Sequence, residues 1–95
     1  MRNAKDELIE HIGTRLAKYV SISRGDPEWQ DDTVSFAGAL ADVLPHLDFN
    51  YDCGYGGQEL FGNIWYEDGS WSERGEYDGA EWWEHKVCPP IPKVT

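Results

Sequence analysis

The sequence predicts an α+β fold in which two helices pack on one face of a three-stranded antiparallel β-meander. Apolar residues recur at helical spacing in the first half of the chain, and two Asp-Gly pairs separate aromatic-rich runs in the second half. Ninety-five residues suffice for one domain with one hydrophobic core. We expect a helical part at 1–47, a meander at 48–88 and an extended tail at 89–95.

Residues 4–21 are predicted to form the first helix, because their apolar side chains fall on one helical face. Asn3 is a suitable N-cap, and Asp6 and Glu7 fall in the first turn, where the helix dipole favours acids. The apolar residues of this face are Leu8, Ile9, Ile12, Leu16, Tyr19 and Val20.

A polar connection at 21–32 is followed by a second predicted helix at 33–44, which Asp32 or Thr33 can cap. Pro45 disfavours helical backbone at the residue before it, so the helix should end there. Residues 48–59 are rich in Gly and Tyr and predict a loop, and a short fourth strand at 48–55 remains an alternative. The predicted core face of the second helix consists of Phe36, Ala37, Leu40, Val43 and Leu44.

The dipeptides Asp68-Gly69 and Asp78-Gly79 predict two hairpins, because Asp-Gly suits the turns that join antiparallel strands. A two-residue loop in the first hairpin sets Tyr66 opposite Trp71 and Trp65 opposite Ser72. We therefore expect residues 60–88 to form the meander.

In the second hairpin the same loop would set Glu76 opposite Glu81 and Glu73 opposite Glu84. Like charges directly opposite each other are destabilising, so a three-residue loop with a bulge is the preferred prediction. Gly75 lies in the middle of a predicted strand, which indicates either a bulge or an aromatic side chain that covers the gap.

The charge is strongly acidic and unevenly distributed. The formal net charge is −10, and residues 25–85 contain 15 acidic residues and a single basic one, Arg74. Such a field disfavours direct binding to nucleic acid, which needs Lys and Arg for phosphate contacts, and favours encounter with basic protein surfaces. Solubility alone is the simpler interpretation of the same charge.

Motifs for metal, cofactor or nucleophilic chemistry are not found. The histidines (His11, His46 and His85) and the cysteines (Cys53 and Cys88) have none of the usual metal-ligand spacings. We expect no metal and no cofactor, and we expect both cysteines to be free and partly buried. Whether they pair is left open. No apolar run is long enough to cross a membrane, so no membrane contact is expected.

The aromatic residues of the predicted meander are the main candidates for function. Neighbours at 65–66 and 82–83 must point to opposite faces of a regular sheet, so some rings should lie on its outer face. Trp and Tyr are frequent anchors of protein interfaces. Burial of these rings under the tail and loop, or a sugar-binding groove, are the alternatives. The predicted partner surface consists of Trp65, Trp71, Glu73, Glu76, Asp78, Glu81 and Trp83.

The segment from Trp65 to Pro92, with its motif DGSW-x-x-RGEYDG-x-EWW, resembles small proteins encoded by tailed phages and prophages of enterobacteria. The resemblance covers about the last third of the chain and implies no catalytic residue. It implies a phage accessory protein in the bacterial cytoplasm. Small acidic phage proteins, such as anti-CRISPR and anti-restriction proteins, often block the basic nucleic-acid-binding surfaces of host proteins.

Together these observations predict a non-enzymatic inhibitor or binding module that docks on a basic host protein. A structural or assembly protein of the virion is the first alternative, and it would form symmetric oligomers. An enzyme with a carboxylate pair is the second, and it would need a concave pocket that raises a carboxyl pKa. The sequence leaves open whether the protein is a monomer or a dimer.

Overall fold

A five-stranded antiparallel sheet forms the centre of the fold in the computed structural model, which describes residues 2–25, 34–51, 58–77 and 80–88. The α+β class is confirmed, but the predicted count of three or four strands is too low. Numbered along the chain, the strands lie in the order β3-β2-β5-β6-β7. Their bounds are Val34–Gly38 (β3), Ala17–Arg24 (β2), Leu60–Tyr66 (β5), Trp71–Tyr77 (β6) and Ala80–Lys86 (β7).

The first helix, α1, spans Ala4–Ile12 and is shorter than predicted. Its N-cap is confirmed, since Asn3 Oδ1 accepts a hydrogen bond of 3.0 Å from the N–H of Asp6. Gly13 ends the helix at a φ of 57°, where its N–H bonds to Ile9 O. The prediction of helix to residue 21 is wrong, because β2 starts at Ala17 and buries alternate residues, Val20 and Ile22.

The second predicted helix is mostly a strand. Residues 34–38 form β3, which pairs with β2, and helix α2 spans only Leu40–Val43. A 3₁₀ helix, Leu44–Leu47, continues the chain with Pro45 in its first turn. The N-cap of α2 is Ala39, and the predicted caps at 32 and 33 lie outside the described residues.

The prediction that 1–47 is a helical part is therefore wrong, since it supplies two strands of the main sheet and one strand of a second, two-stranded sheet. That small sheet pairs β1 (Arg2–Asn3) with β4 (Asn50–Tyr51). β4 falls within the segment considered for a fourth strand, but it does not join the meander. The predicted tail at 89–95 lies outside the described residues.

The first hairpin, β5–β6, has a three-residue loop, so the two-residue prediction is wrong by one position. The N–H of Gly69 bonds to Tyr66 O and the N–H of Tyr66 to Ser70 O, and Gly69 has a φ of 86°. This pattern is a type I turn followed by a left-handed residue. Trp65 consequently lies opposite Trp71, instead of opposite Ser72.

The second hairpin, β6–β7, has the register that the sequence argument rejected. Tyr77 pairs with Ala80, which sets Glu76 opposite Glu81 and Glu73 opposite Glu84. The predicted three-residue loop with a bulge is wrong, although residues 78 and 79 themselves lie outside the described part of the chain. Both pairs are tolerated because one carboxylate of the first is buried against Arg74, and Lys86 contacts both carboxylates of the second.

The helices pack on one face of the main sheet, which we call the inner face, and the core lies between them. Fully buried side chains from the sheet meet those of α1, α2 and the 3₁₀ helix. The opposite face of the sheet is the outer face. The central core residues are Leu8, Ile12, Val20, Ile22, Val43, Leu47, Leu60 and Ile64.

Candidate functional site

A row of large side chains crosses the outer face. The strand registers place Tyr19 of β2 beside Trp65 of β5, and Trp65 beside Trp71 of β6. The rings of Tyr19 and Trp65 have centroids 5.5 Å apart with an interplanar angle of 59°. Tyr19 is 45% exposed and Trp65 is 43% exposed. We call these three residues the aromatic row.

A group of charges lies beside this row, and we call it the outer cluster: Glu73, Glu84 and Lys86. Lys86 is opposite Trp71 across the β6–β7 pair, and its Nζ lies 3.7 Å from Glu73 Oε1 and 3.5 Å from Glu84 Oε2. All three side chains are about two-fifths exposed, so these pairs contribute little to stability.

Trp82 lies over Gly75 on the outer face, so of the two alternatives predicted for that glycine, a bulge or a covering aromatic side chain, the structure has the second. An ideal Cβ at Gly75 would lie 2.6 Å from Trp82 Nε1. The indole N–H donates a 2.8 Å hydrogen bond to Glu84 Oε1. This hydrogen bond, followed by the charge of Lys86, holds the pKa of Glu84 below its usual range.

The structure distributes the predicted partner surface between both faces. Trp65, Trp71 and Glu73 lie on the outer face, as expected. Glu76 is exposed, but strand alternation puts it on the inner side, and Asp78 lies outside the described residues.

Glu81 and Trp83 require a correction, because both are buried, at 5% and 7% exposure. Trp83 belongs to the core, and Glu81 accepts hydrogen bonds from the backbone N–H groups of Glu59 (2.7 Å) and Leu60 (3.0 Å). Neither side chain can form part of the predicted contact surface on the outer face. The prediction that the rings at 65–66 and 82–83 divide between the faces is nevertheless confirmed, since Trp65 is exposed and Tyr66 and Trp83 are buried.

The buried carboxylate of Glu81 belongs to what we call the inner cluster: Glu7, Tyr51, Arg74 and Glu81. Arg74 Nη1 donates to Glu7 Oε1 at 3.2 Å, and Nη2 donates to Tyr51 Oη at 3.1 Å and to Glu81 Oε1 at 2.5 Å. The Tyr51 hydroxyl donates to Glu7. Arg74 Nε is buried without a hydrogen-bond partner among the described residues.

Burial and the neighbouring groups shift the pKa values of Arg74 and Tyr51 in the inner cluster. Burial works against the charge on Arg74, but Glu7 and Tyr51 outweigh it and raise the arginine pKa. Burial and the hydrogen bond to Glu7 raise the pKa of Tyr51 well above its usual range. The cluster therefore serves to fix α1, β4, β6 and β7 together.

Two chains of hydrogen bonds link histidines to serines near the inner face. Ser70 Oγ donates to Asp68 Oδ1 at 2.5 Å, so His85 Nε2, at 2.9 Å from the same hydroxyl, has to be the donor. A serine that accepts a hydrogen bond from histidine and donates its own hydrogen to a carboxylate has no histidine base to activate it. This arrangement orients the turn at 67–70 and does not form a nucleophile.

Ser72 is fully buried between His11 Nε2, at 2.8 Å, and the Tyr66 hydroxyl, at 2.7 Å. Burial lowers the pKa of His11, with a smaller contribution from Arg15. At neutral pH this histidine is therefore uncharged.

Within the described ranges, no three His, Cys, Asp or Glu side chains are placed to hold a metal ion. None of the helices described is long and apolar enough to cross a membrane. Cys88 is a free and exposed thiol, so its predicted partial burial is wrong, and Cys53 lies outside the described residues.

Two features of the site were missed by sequence reasoning. The helical spacing predicts that Tyr19 lies in a helix, but the structure places it in β2. The alternation of Val20 and Ile22 with polar neighbours is the sequence pattern that indicates this strand. The inner cluster had no sequence signal, because its members Glu7 and Arg74 are 67 residues apart.

No protein-family model, curated protein or solved structure matches the chain. Its function is therefore inferred from its own residues and their arrangement.

Proposed function

We propose that this protein is a non-enzymatic binding module that docks on another protein through the outer face of its sheet. The aromatic row is the observation that carries the proposal. Two of its rings, Tyr19 and Trp65, are nearly half exposed and in contact with each other on the side opposite the helices. Trp and Tyr at the centre of an interface supply much of its binding energy.

The partner is proposed to have a basic surface. The net charge of −10 attracts such a surface over long range, and the outer cluster supplies two carboxylates against one ammonium group beside the row. A positive surface that normally contacts nucleic acid has the matching charge. The protein would then compete with DNA or RNA for that surface.

The resemblance of the Trp65–Pro92 segment to small tailed-phage proteins extends the proposal to a biological setting. We propose a bacterial host protein as the partner, an anti-defence role of the anti-CRISPR or anti-restriction kind, and action in the bacterial cytoplasm.

Affinity capture from bacterial lysate tests the proposal. The full-length protein should retain a basic nucleic-acid-binding protein at low salt and release it at high salt, because screening weakens the charge contribution. The captured protein, once purified, should exchange its DNA or RNA for this chain. Trp65→Ala should weaken binding about 30-fold, as for an interface anchor. Ile9→Ala, an equally exposed apolar residue on α1, is the matched control and should bind normally.

Retention of no basic protein at low salt would contradict the proposal, as would equal binding by Trp65→Ala and Ile9→Ala. Size-exclusion chromatography with light scattering separates the virion-assembly alternative. A symmetric oligomer that Trp65→Ala dissociates would assign the aromatic row to self-association.

A further inference from the structure

An open cleft lies between α1 and the edge strand β7, away from the aromatic row. Its volume of about 360 Å³ is enough for a small organic molecule. It combines aromatic walls with carboxylates and basic groups. The lining residues are Arg2, Glu7, Glu10, His11, Trp82 and Trp83.

One carboxylate of the cleft, that of Glu7, is held in place from below. Glu7 is buried, and its Oε1 accepts hydrogen bonds from Tyr51 and Arg74. Its other oxygen, Oε2, lies 3.8 Å from Arg2 Nε, too far for a hydrogen bond. Arg2 Nη2 lies 3.3 Å from Glu10 Oε2, and the Arg2 side chain is half exposed. The only cation at the cleft mouth among the described residues is thus loosely held.

The charges at and beneath the cleft do not balance. Three carboxylates (Glu7, Glu10 and Glu81) are within ion-pair distance of two guanidinium groups, Arg2 and Arg74. His11 adds no charge near neutral pH, because burial lowers its pKa. One negative charge is left over, and the cleft therefore favours a cation over an anion.

We propose that this cleft binds one organic cation, a guanidinium or an alkylammonium group, between the carboxylates of Glu7 and Glu10 and the indole of Trp82, because the Trp83 ring already contacts Arg74 and His11. Carboxylates accept charge-assisted hydrogen bonds from such groups, and tryptophan faces attract them. Arg2 already places a guanidinium beside both carboxylates, so a ligand of the same chemistry fits in its place. This site is separate from the aromatic row and does not depend on the partner proposed above.

Heteronuclear NMR of the isotope-labelled full chain tests the site with ethylguanidinium chloride. The indole N–H signals of Trp82 and Trp83 should shift and saturate, with a dissociation constant on the order of 1–10 mM for so small a ligand. N-Ethylurea has nearly the same shape without the charge and should cause no saturable shift. Sodium chloride at equal ionic strength controls for screening.

Variants locate the site. Glu10→Gln should weaken binding about 2- to 5-fold, since this carboxylate is largely exposed, and Arg2→Gln should strengthen it by a similar factor because a competing cation is removed. Asp42→Asn removes an exposed acid on α2 and should leave the constant unchanged. Equal shifts with N-ethylurea, shifts that do not saturate, or identical constants for Glu10→Gln and Asp42→Asn would overturn the proposal.

A blocked tripeptide with a central arginine distinguishes the source of the cation. Tighter binding than ethylguanidinium supports a protein side chain as the ligand, and weaker but saturable binding supports a free small cation.

Discussion

The inner and outer clusters lie on opposite faces of the β6–β7 hairpin, and each places one basic side chain between two carboxylates. In the inner cluster the guanidinium lies 3.2 and 2.5 Å from its carboxylates, and every charged side chain is at most 5% exposed. In the outer cluster the corresponding distances are 3.7 and 3.5 Å, and every side chain is at least 40% exposed. The chemistry is similar on both faces, while the solvation differs.

This difference separates stability from recognition. Charges in a buried cluster lose their hydration, so each is stabilised only by the others. Removal of any one of them therefore lowers the stability of the fold strongly. Charges in an exposed cluster keep their water and interact weakly with one another. The outer carboxylates can therefore turn to a partner at little cost to the fold, and the inner ones cannot.

Removal of the basic side chain at the centre of each cluster should give the largest difference in the free energy of unfolding. Arg74→Met leaves the buried carboxylate of Glu81 without a counter-charge and that of Glu7 with only Arg2 at 3.8 Å, and it should cost about 3–5 kcal/mol in the free energy of unfolding. Lys86→Met, the matched change in the outer cluster, should cost less than about 1 kcal/mol. Chemical denaturation followed by circular dichroism measures both. Equal losses would remove the distinction between the clusters, whereas a chain with Arg74→Met that does not fold agrees with it.

Two glycines should differ in how well the surrounding structure tolerates an added methyl group. At Gly62, φ is 153° and an ideal Cβ would lie 2.2 Å from the backbone oxygen of Ser21, so Gly62→Ala should cost about 3 kcal/mol or more. At Gly75 the added Cβ meets only the Trp82 side chain, which can rotate away, so Gly75→Ala should cost about 1 kcal/mol. Thermal unfolding compares the two variants. Similar melting temperatures would show that the backbone of β2 moves away from an added methyl group as easily as the Trp82 side chain does.

Replacement of a tryptophan should likewise destabilise the protein less on the outer face than on the inner face. Trp65→Ala should cost about 1 kcal/mol, the range of a cross-strand pair, since its ring is 43% exposed. Trp83→Ala, in the core, should cost about 3–5 kcal/mol. Denaturant midpoints give the comparison. A loss at Trp65 as large as that at Trp83 would make the aromatic row a structural element and weaken its proposed role in docking.

Local patterns in the sequence predict the features that depend on near neighbours. The Asn3 cap, the positions of both hairpins and the division of Trp65 and Tyr66 between faces follow from spacing alone. The place of Gly75 in the middle of a strand narrows the prediction to a bulge or a covering aromatic ring, and the structure has the indole of Trp82 there.

Features that depend on distant residues were not predictable in this way. The sequence of β2 predicts a helix because Leu16, Tyr19 and Val20 continue the helical spacing past Gly13. Pairing with β3 and β5, which are distant in the sequence, makes this segment a strand. The rejected register of the second hairpin is adopted because Glu81 is satisfied by Arg74 and by backbone N–H groups 21 and 22 residues away. The inner cluster draws on four separate elements, so no sequence window contains it.

The smallest expected difference between the faces concerns the pH range in which acid lowers the stability that each face contributes. His11, on the inner side, has a folded pKa below its ordinary value of 6.5, so the unfolded chain binds the proton more readily. Stability should therefore fall as the pH drops below about 6.5, and His11→Gln should remove part of this fall.

Glu84, on the outer face, has a pKa below its ordinary value of 4.5. Its contribution is present above that value and is lost only as the pH drops below it. Glu84→Gln should consequently leave the slope between about pH 6.5 and 5.5 unchanged, which makes it the matched control for His11→Gln. Urea titrations of both variants across this range measure the slopes. If the slope of His11→Gln equals that of the wild type, this partly buried histidine does not couple protonation to folding, and the inner face owes its stability to the Arg74 cluster and apolar packing.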